Sequence, residues 1–193
     1  NIYFKNCTID GENNNIHGFV GHVQGIISFI NNTIENFNAW YIFDNTEGSF
    51  DAQYELEEVH FLNNYLANNS GAIAFRGQAS NPIETAVICG NIADYTMIEE
   101  GSNAWAVVEV NKVENVIFSN NQIHGAPLSN ETPTGGIEGQ AFQAWSTVPW
   151  TLEFYNNDIS SNYQGFAMNI GPVAGYEGYI PSGYISNNNF SNC

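Results

Sequence analysis

Arg76 and Glu109 are the two side chains best suited to chemistry in this sequence. Arg76 follows Phe75, and Glu109 lies between Val108 and Val110, each inside a short apolar run. If those runs are strands, alternate residues face opposite sides, and both charged groups point away from the core. One repeat apart and in matched register, they would sit within roughly 5–10 Å of each other. A carboxylate beside a guanidinium can hold a sugar acid or move protons around a glycosidic bond. His22, between Gly21 and Val23, joins them in a candidate catalytic set. The same charges would serve equally as a cross-strand ion pair.

Further residues suit binding. Gln143 and Asn169 extend the outward row, and the rings of Tyr41 and Trp105 suit stacking on a sugar, although core packing is the usual fate of such aromatics. Asp44, Glu47 and Asp51 crowd one insertion together with Glu55, Glu57 and Glu58. Oxygen-rich loops of this kind can hold calcium. No EF-hand or nonapeptide calcium pattern is present, so a solvated acidic loop is the competing reading. The four His and three Cys show no metal-ligand spacing.

Composition narrows the partners. The 193 residues carry 3 Lys+Arg against 20 Asp+Glu, a formal net charge of -17. Such a field repels phosphate backbones and anionic lipid, which excludes nucleic acid and the membrane surface as partners. No apolar run reaches the ~20 residues of a membrane span, so membrane insertion is not expected. The 30 Asn residues disfavour helices and favour turns.

These candidates are positioned by a repeat. The pattern apolar, any, Asn, Asn, any, apolar recurs at Phe4–Ile9 (with Cys7 at the second Asn position), Phe29–Ile34, Phe61–Leu66, Phe118–Ile123, Phe154–Ile159 and Ile185–Phe190. A degenerate copy at Val87–Ile92 places the first-Asn position at 89. Between copies lie second apolar segments: Gly18–Val23, Ala39–Phe43, Gly71–Arg76, Ala104–Val110, Ala141–Trp145 and Gly165–Ile170. Each is β-branched or aromatic and bounded by turn residues, which is a strand signature. A unit of two or three short strands buries its apolar side chains only by stacking on its neighbours. In a stack spaced ~4.8 Å apart, an Asn column can hydrogen-bond from coil to coil. Asn6 and Asn31 are expected to belong to that ladder. The long insertions flank the second segments, which predicts a groove along that face.

The coil formed by these motifs resembles the right-handed parallel β-helix repeats of secreted proteins, a group that includes pectate-lyase-like enzymes and disaggregatase-type surface proteins. The resemblance spans the whole chain and implies an all-β, right-handed single-stranded parallel β-helix, a solenoid of about seven coils with an asparagine ladder. Residues 1–193 then form a single domain. No amphipathic cap is visible at either end, which predicts a fragment of a longer β-helix protein or end-to-end self-association.

Two function classes follow from the resemblance. One is an extracellular or cell-surface module, structural or adhesive, with a polysaccharide or cell-surface glycan as partner. The other is a polysaccharide lyase or glycoside hydrolase, or its substrate-binding portion. The Lys/Arg cluster of the lyases and the Gly-His-Gly of the polygalacturonases are both missing, which tilts the expectation toward the module. No cofactor is required, and calcium is the one candidate.

Overall fold

The chain is described from a computed structural model covering residues 1–12, 19–20, 23–37, 41–45, 55–69, 71–94, 106–124, 140–160, 168–170 and 178–191. These residues form strands and turns with no helix, and every strand pairing is parallel. The result is a parallel β-solenoid with an asparagine ladder. The first sheet has seven strands, running from Ile2–Lys5 through Gly25–Ile30, Leu56–Leu62, Ile83–Cys89, Val113–Ser119 and Thr151–Tyr155 to Ser182–Ser186. The second has seven strands of three residues, from Thr8–Asp10 to Asn189–Ser191. Six strands make the third: Phe19–Val20, Tyr41–Asp44, Ala72–Arg76, Ala106–Asn111, Gln140–Trp145 and Met168–Ile170. Each of the six second segments read from the sequence contributes one strand of that third sheet.

The Asn-Asn pairs are the corners between the first and second sheets, and their two residues have different work. The first Asn of each pair (Asn31, Asn63, Asn120, Asn156, Asn187), and Asn6 ahead of Cys7, is exposed and left-handed, with φ between 53° and 56°. Asn tolerates that region better than other residues with a Cβ. The second Asn points inward and builds the ladder. The Asn32, Asn64, Asn91, Asn121 and Asn157 backbone N–H groups each donate to the amide oxygen of the next Asn in the column, at 2.9–3.0 Å. Each side-chain amide also donates to that oxygen and to a carbonyl one coil back. Asn6 and Asn31 do contact each other between coils, Asn31 Nδ2 donating to Asn6 Oδ1 at 3.4 Å, but in an exposed outer column rather than in the buried ladder. The left-handed corner turns the first Asn side chain outward, so its amide meets the next coil at the surface and leaves the interior to the second Asn.

The degenerate copy shifts by one residue for the same reason. Ile88 pairs with Phe61 and Cys89 with Leu62, so Gly90 takes the left-handed corner at φ 69° and Asn91 the ladder. Position 90, not 89, corresponds to the first Asn.

Aromatic columns fill the interior. Phe118 stacks on Phe154 at 4.9 Å and Phe4 on Phe29 at 4.7 Å between ring centroids. Phe43, Phe75 and Phe142 from the third sheet meet Phe29, Phe61 and Phe118 across the core. Dispersion between such rings, added to the removal of their area from water, is the main force holding successive coils together.

Candidate functional site

The third sheet carries the candidate residues on the face opposite these aromatics. Its register places Asp44, Ala74, Glu109, Gln143 and Asn169 side by side in one row. Arg76 and Asn111 form the next row, with Trp145 beside Asn111. Arg76 therefore sits two residues beyond its acidic partners, and its long side chain reaches back across the small Ala74. Nε donates to Glu109 Oε1 at 3.1 Å and Nη2 to Glu109 Oε2 at 3.2 Å, a bidentate fork. Nη1 reaches Asp44 Oδ2 at 3.3 Å, and Nη2 also donates to Tyr41 Oη at 2.8 Å. The Tyr41 ring lies beneath the guanidinium carbon, 4.8 Å from centroid to carbon, adding a cation–π contact.

The backbone of Arg76 is pinned as firmly as its side chain. Asn45 accepts from the Arg76 N–H and donates to the Arg76 carbonyl, at 2.9 and 2.8 Å. Gly77 then lets the chain turn under Lys112, because a Cβ there would stand 2.3 Å from the Lys112 carbonyl oxygen and 2.8 Å from the Ile83 nitrogen. Both contacts are backbone and cannot rotate aside. Gly77→Ala should cost about 1–3 kcal/mol, read as a lower denaturation midpoint with an unchanged m-value.

The expected open groove is where the structure departs most from the sequence reading. Arg76 is 1% exposed and Glu109 5%, with Asp44 and Gln143 equally enclosed. They are not a surface row: Arg76 and Glu109 form the cross-strand ion pair, in a buried setting. Asp44, expected in an acidic calcium loop, ends a strand and commits its carboxylate to the guanidinium. Among the described residues, no group of three or more His, Cys, Asp or Glu is placed to hold a metal ion. His22, Trp105, Glu47 and Asp51 lie outside the described residues, and for Asn169 the backbone register alone is described.

Electrostatics follow from this enclosure. Burial alone would push the Arg76 guanidinium down. Glu109, Tyr41 and Asp44 together outweigh it and hold the guanidinium above its ordinary range, so it is permanently charged. Burial, reinforced by the Glu109 carboxylate, pushes the Tyr41 phenol up against the opposing pull of Arg76. Tyr41 is thus a neutral partner at physiological pH.

Two residues missed by the sequence reading complete the cluster. Asn111, fully buried, donates Nδ2 to Glu109 Oε1 at 2.6 Å. Lys112 is buried with its ammonium over the Trp145 ring, 5.4 Å from the centroid. The signal for Lys112 was its rarity. It is one of only 3 cations in the chain, and two of those, Arg76 and Lys112, are buried at the ends of neighbouring third-sheet strands. Asn111 Oδ1 and Gln143 Oε1 are buried without a hydrogen-bond partner. What this cluster can still accept is therefore a hydrogen-bond donor, not an anion.

Comparisons with family models, with curated proteins and with solved structures gave no match to this chain.

Proposed function

We propose that this chain is an extracellular or cell-surface solenoid module with a structural or adhesive role, whose glycan partners are neutral. The observation that carries the proposal is the closure of the Arg76 cluster. A catalytic guanidinium or carboxylate must reach the reacting atoms. Here both edges of the guanidinium are occupied by Glu109, Asp44 and Tyr41. With Arg76 and Lys112 buried, Lys5 is the only Lys or Arg at the surface among the described residues. Against a net charge of -17, a polyuronate would be repelled rather than held. The secreted setting and the kinship with pectate-lyase-like and disaggregatase-type solenoids rest on the repeat motif.

The test is incubation with a panel of neutral and acidic polysaccharides, with and without calcium, measuring new reducing ends and unsaturated products. The expected result is no cleavage under any condition, and any retention on immobilised glycan confined to the neutral members. Cleavage by the parent that is lost in a folded Glu109→Gln variant would replace the module with the enzyme reading.

A further inference from the structure

Two corners of the solenoid carry a tripeptide of the same kind. Asn31-Asn32-Thr33 and Asn68-Asn69-Ser70 both read Asn, any, Ser or Thr. That pattern accepts N-linked oligosaccharide in a secretory compartment, and the modified Asn must then stand at the surface. In a chain with 30 Asn the pattern alone decides nothing. What decides is where the fold puts each residue.

In both tripeptides the middle residue is the inward one. Asn32 stands in the buried ladder, its backbone N–H donating to Asn64 Oδ1. Asn69 is buried at the next corner, where its Oδ1 accepts from the Phe37 N–H at 3.0 Å and its Nδ2 donates to the Ile34 carbonyl at 2.8 Å. The preceding residue is therefore the one that turns outward. Asn31 and Asn68 are exposed and left-handed, at φ 55° and 53°. Thr33 stands in the outward row of the second sheet, between Thr8 and Tyr65. Ser70 lies outside the described residues.

Each exposed amide also keeps a hydrogen to exchange. Asn31 Nδ2 uses one on Asn6 Oδ1 at 3.4 Å, and Asn68 Nδ2 uses one on Asn36 Oδ1 at 2.7 Å. A primary amide carries two. The two residues flank the second sheet from opposite ends of its three-residue strands, about 10 Å apart along the chain direction, so sugars on both have room. Asn6-Cys7-Thr8 repeats the pattern one coil from Asn31, only about 4.8 Å away, too close for both to carry a branched oligosaccharide. Asn31 is the better placed of that pair. One coil on and two residues along from it stands the Tyr65 ring, 43% exposed, against which a first sugar can lie, whereas Asn6 has Thr33 in that place.

We propose that Asn31 and Asn68 are N-glycosylation sites. At each, Nδ2 displaces the pyrophosphate from the anomeric carbon of a lipid-linked oligosaccharide. The N–C bond forms as the C–O bond breaks, the amide gives up one proton, and the lipid pyrophosphate leaves. The fold holds both sugars outside the ladder, so a chain modified there still stacks. The inference rests on the extracellular reading above.

The test uses the full chain with a secretion signal and a tail bearing one separate acceptor tripeptide, made in an N-glycosylating eukaryotic cell. Molecules glycosylated on the tail are collected from cells and medium together, so every molecule scored has met the transferase. Release by peptide N-glycosidase in heavy-oxygen water leaves a labelled Asp wherever a glycan stood. Label is expected at both Asn31 and Asn68 in most molecules, and Thr33→Ala and Ser70→Ala should each remove it at one site. The secreted glycosylated chain should melt cooperatively, no lower than the same chain after release. Absence of label at either residue overturns the inference. So does label found only in aggregated chain while the Thr33→Ala, Ser70→Ala double variant reaches the medium folded. A double variant that is itself retained and misfolded counts against the extracellular reading instead, with occupancy still scored in the retained pool.

Discussion

Replacing Arg76 with Met should lower the unfolding free energy by about 3–5 kcal/mol, the usual penalty for removing one partner of a buried ion pair. In a domain of this size that is a fall in melting temperature of roughly 10 °C. The reason is what remains behind. Glu109 and Asp44 are buried, and Arg76 supplies two of the hydrogen bonds on the Glu109 carboxylate. Met fills the volume of the stem but leaves two enclosed carboxylates facing each other across Ala74. Arg76→Lys should fall between parent and Met, because an ammonium keeps the charge but cannot make the fork. Combining Arg76→Met with Asp44→Asn and Glu109→Gln should recover at least half of the loss, since the cost lies in uncompensated charge rather than in a missing attraction. A loss under about 1 kcal/mol for Arg76→Met would show that these carboxylates reach water, and would reopen the catalytic reading of the site.

That cluster also shows where sequence reading stops. Alternation around Phe75 and Val108 correctly assigned Arg76 and Glu109 to the face away from the core, because side-chain direction is a local property of a strand. Whether that face meets solvent is not local. A weaker signal was nevertheless present. In Ala72–Arg76 the outward positions 72 and 74 are Ala, and in Ala106–Asn111 position 107 is Val, so both faces of these strands read as apolar. Continuous apolar runs mark strands buried on both sides. The first sheet differs, for its outward row carries Glu58, Thr85 and Asn115, and those positions are half-buried or exposed. The fold was far more legible than the site because its determinants repeat. A motif seen once is ambiguous, whereas one recurring down the chain fixes strand, corner and stacking together. The Arg76 cluster occurs once, spans three coils, and depends on register shifts such as that between Tyr41 and Phe43.

The second large effect separates the two members of an Asn pair. Asn121→Ala should cost about 3–5 kcal/mol, while Asn120→Gly, one residue earlier, should change stability by less than about 0.5 kcal/mol. Asn121 Oδ1 accepts both the backbone N–H and the Nδ2 of Asn91, at 3.0 and 2.9 Å, and its own Nδ2 donates to the Ile88 carbonyl and to Asn157 Oδ1. Truncation strands a buried N–H, a buried carbonyl and part of a buried amide, each worth about 1–3 kcal/mol when left unpaired. Asn120 is exposed at φ 55°, its Nδ2 reaching Cys89 Sγ at 3.7 Å and its Oδ1 accepting from Asn156 Nδ2 at 3.4 Å, both long contacts at the surface. Glycine already fills the equivalent corner at Gly90, so what the backbone there requires is a left-handed conformation, and the surface contacts of Asn120 add little to it. Asn120→Val should therefore cost about 1–2 kcal/mol through strain alone. Chemical denaturation of the three variants decides the matter. A neutral Asn121→Ala would mean that the stacked strands hold the solenoid without the amide column. An Asn120→Gly as damaging as Asn121→Ala would mean that the corner, rather than the ladder, is what the repeated Asn-Asn pair maintains.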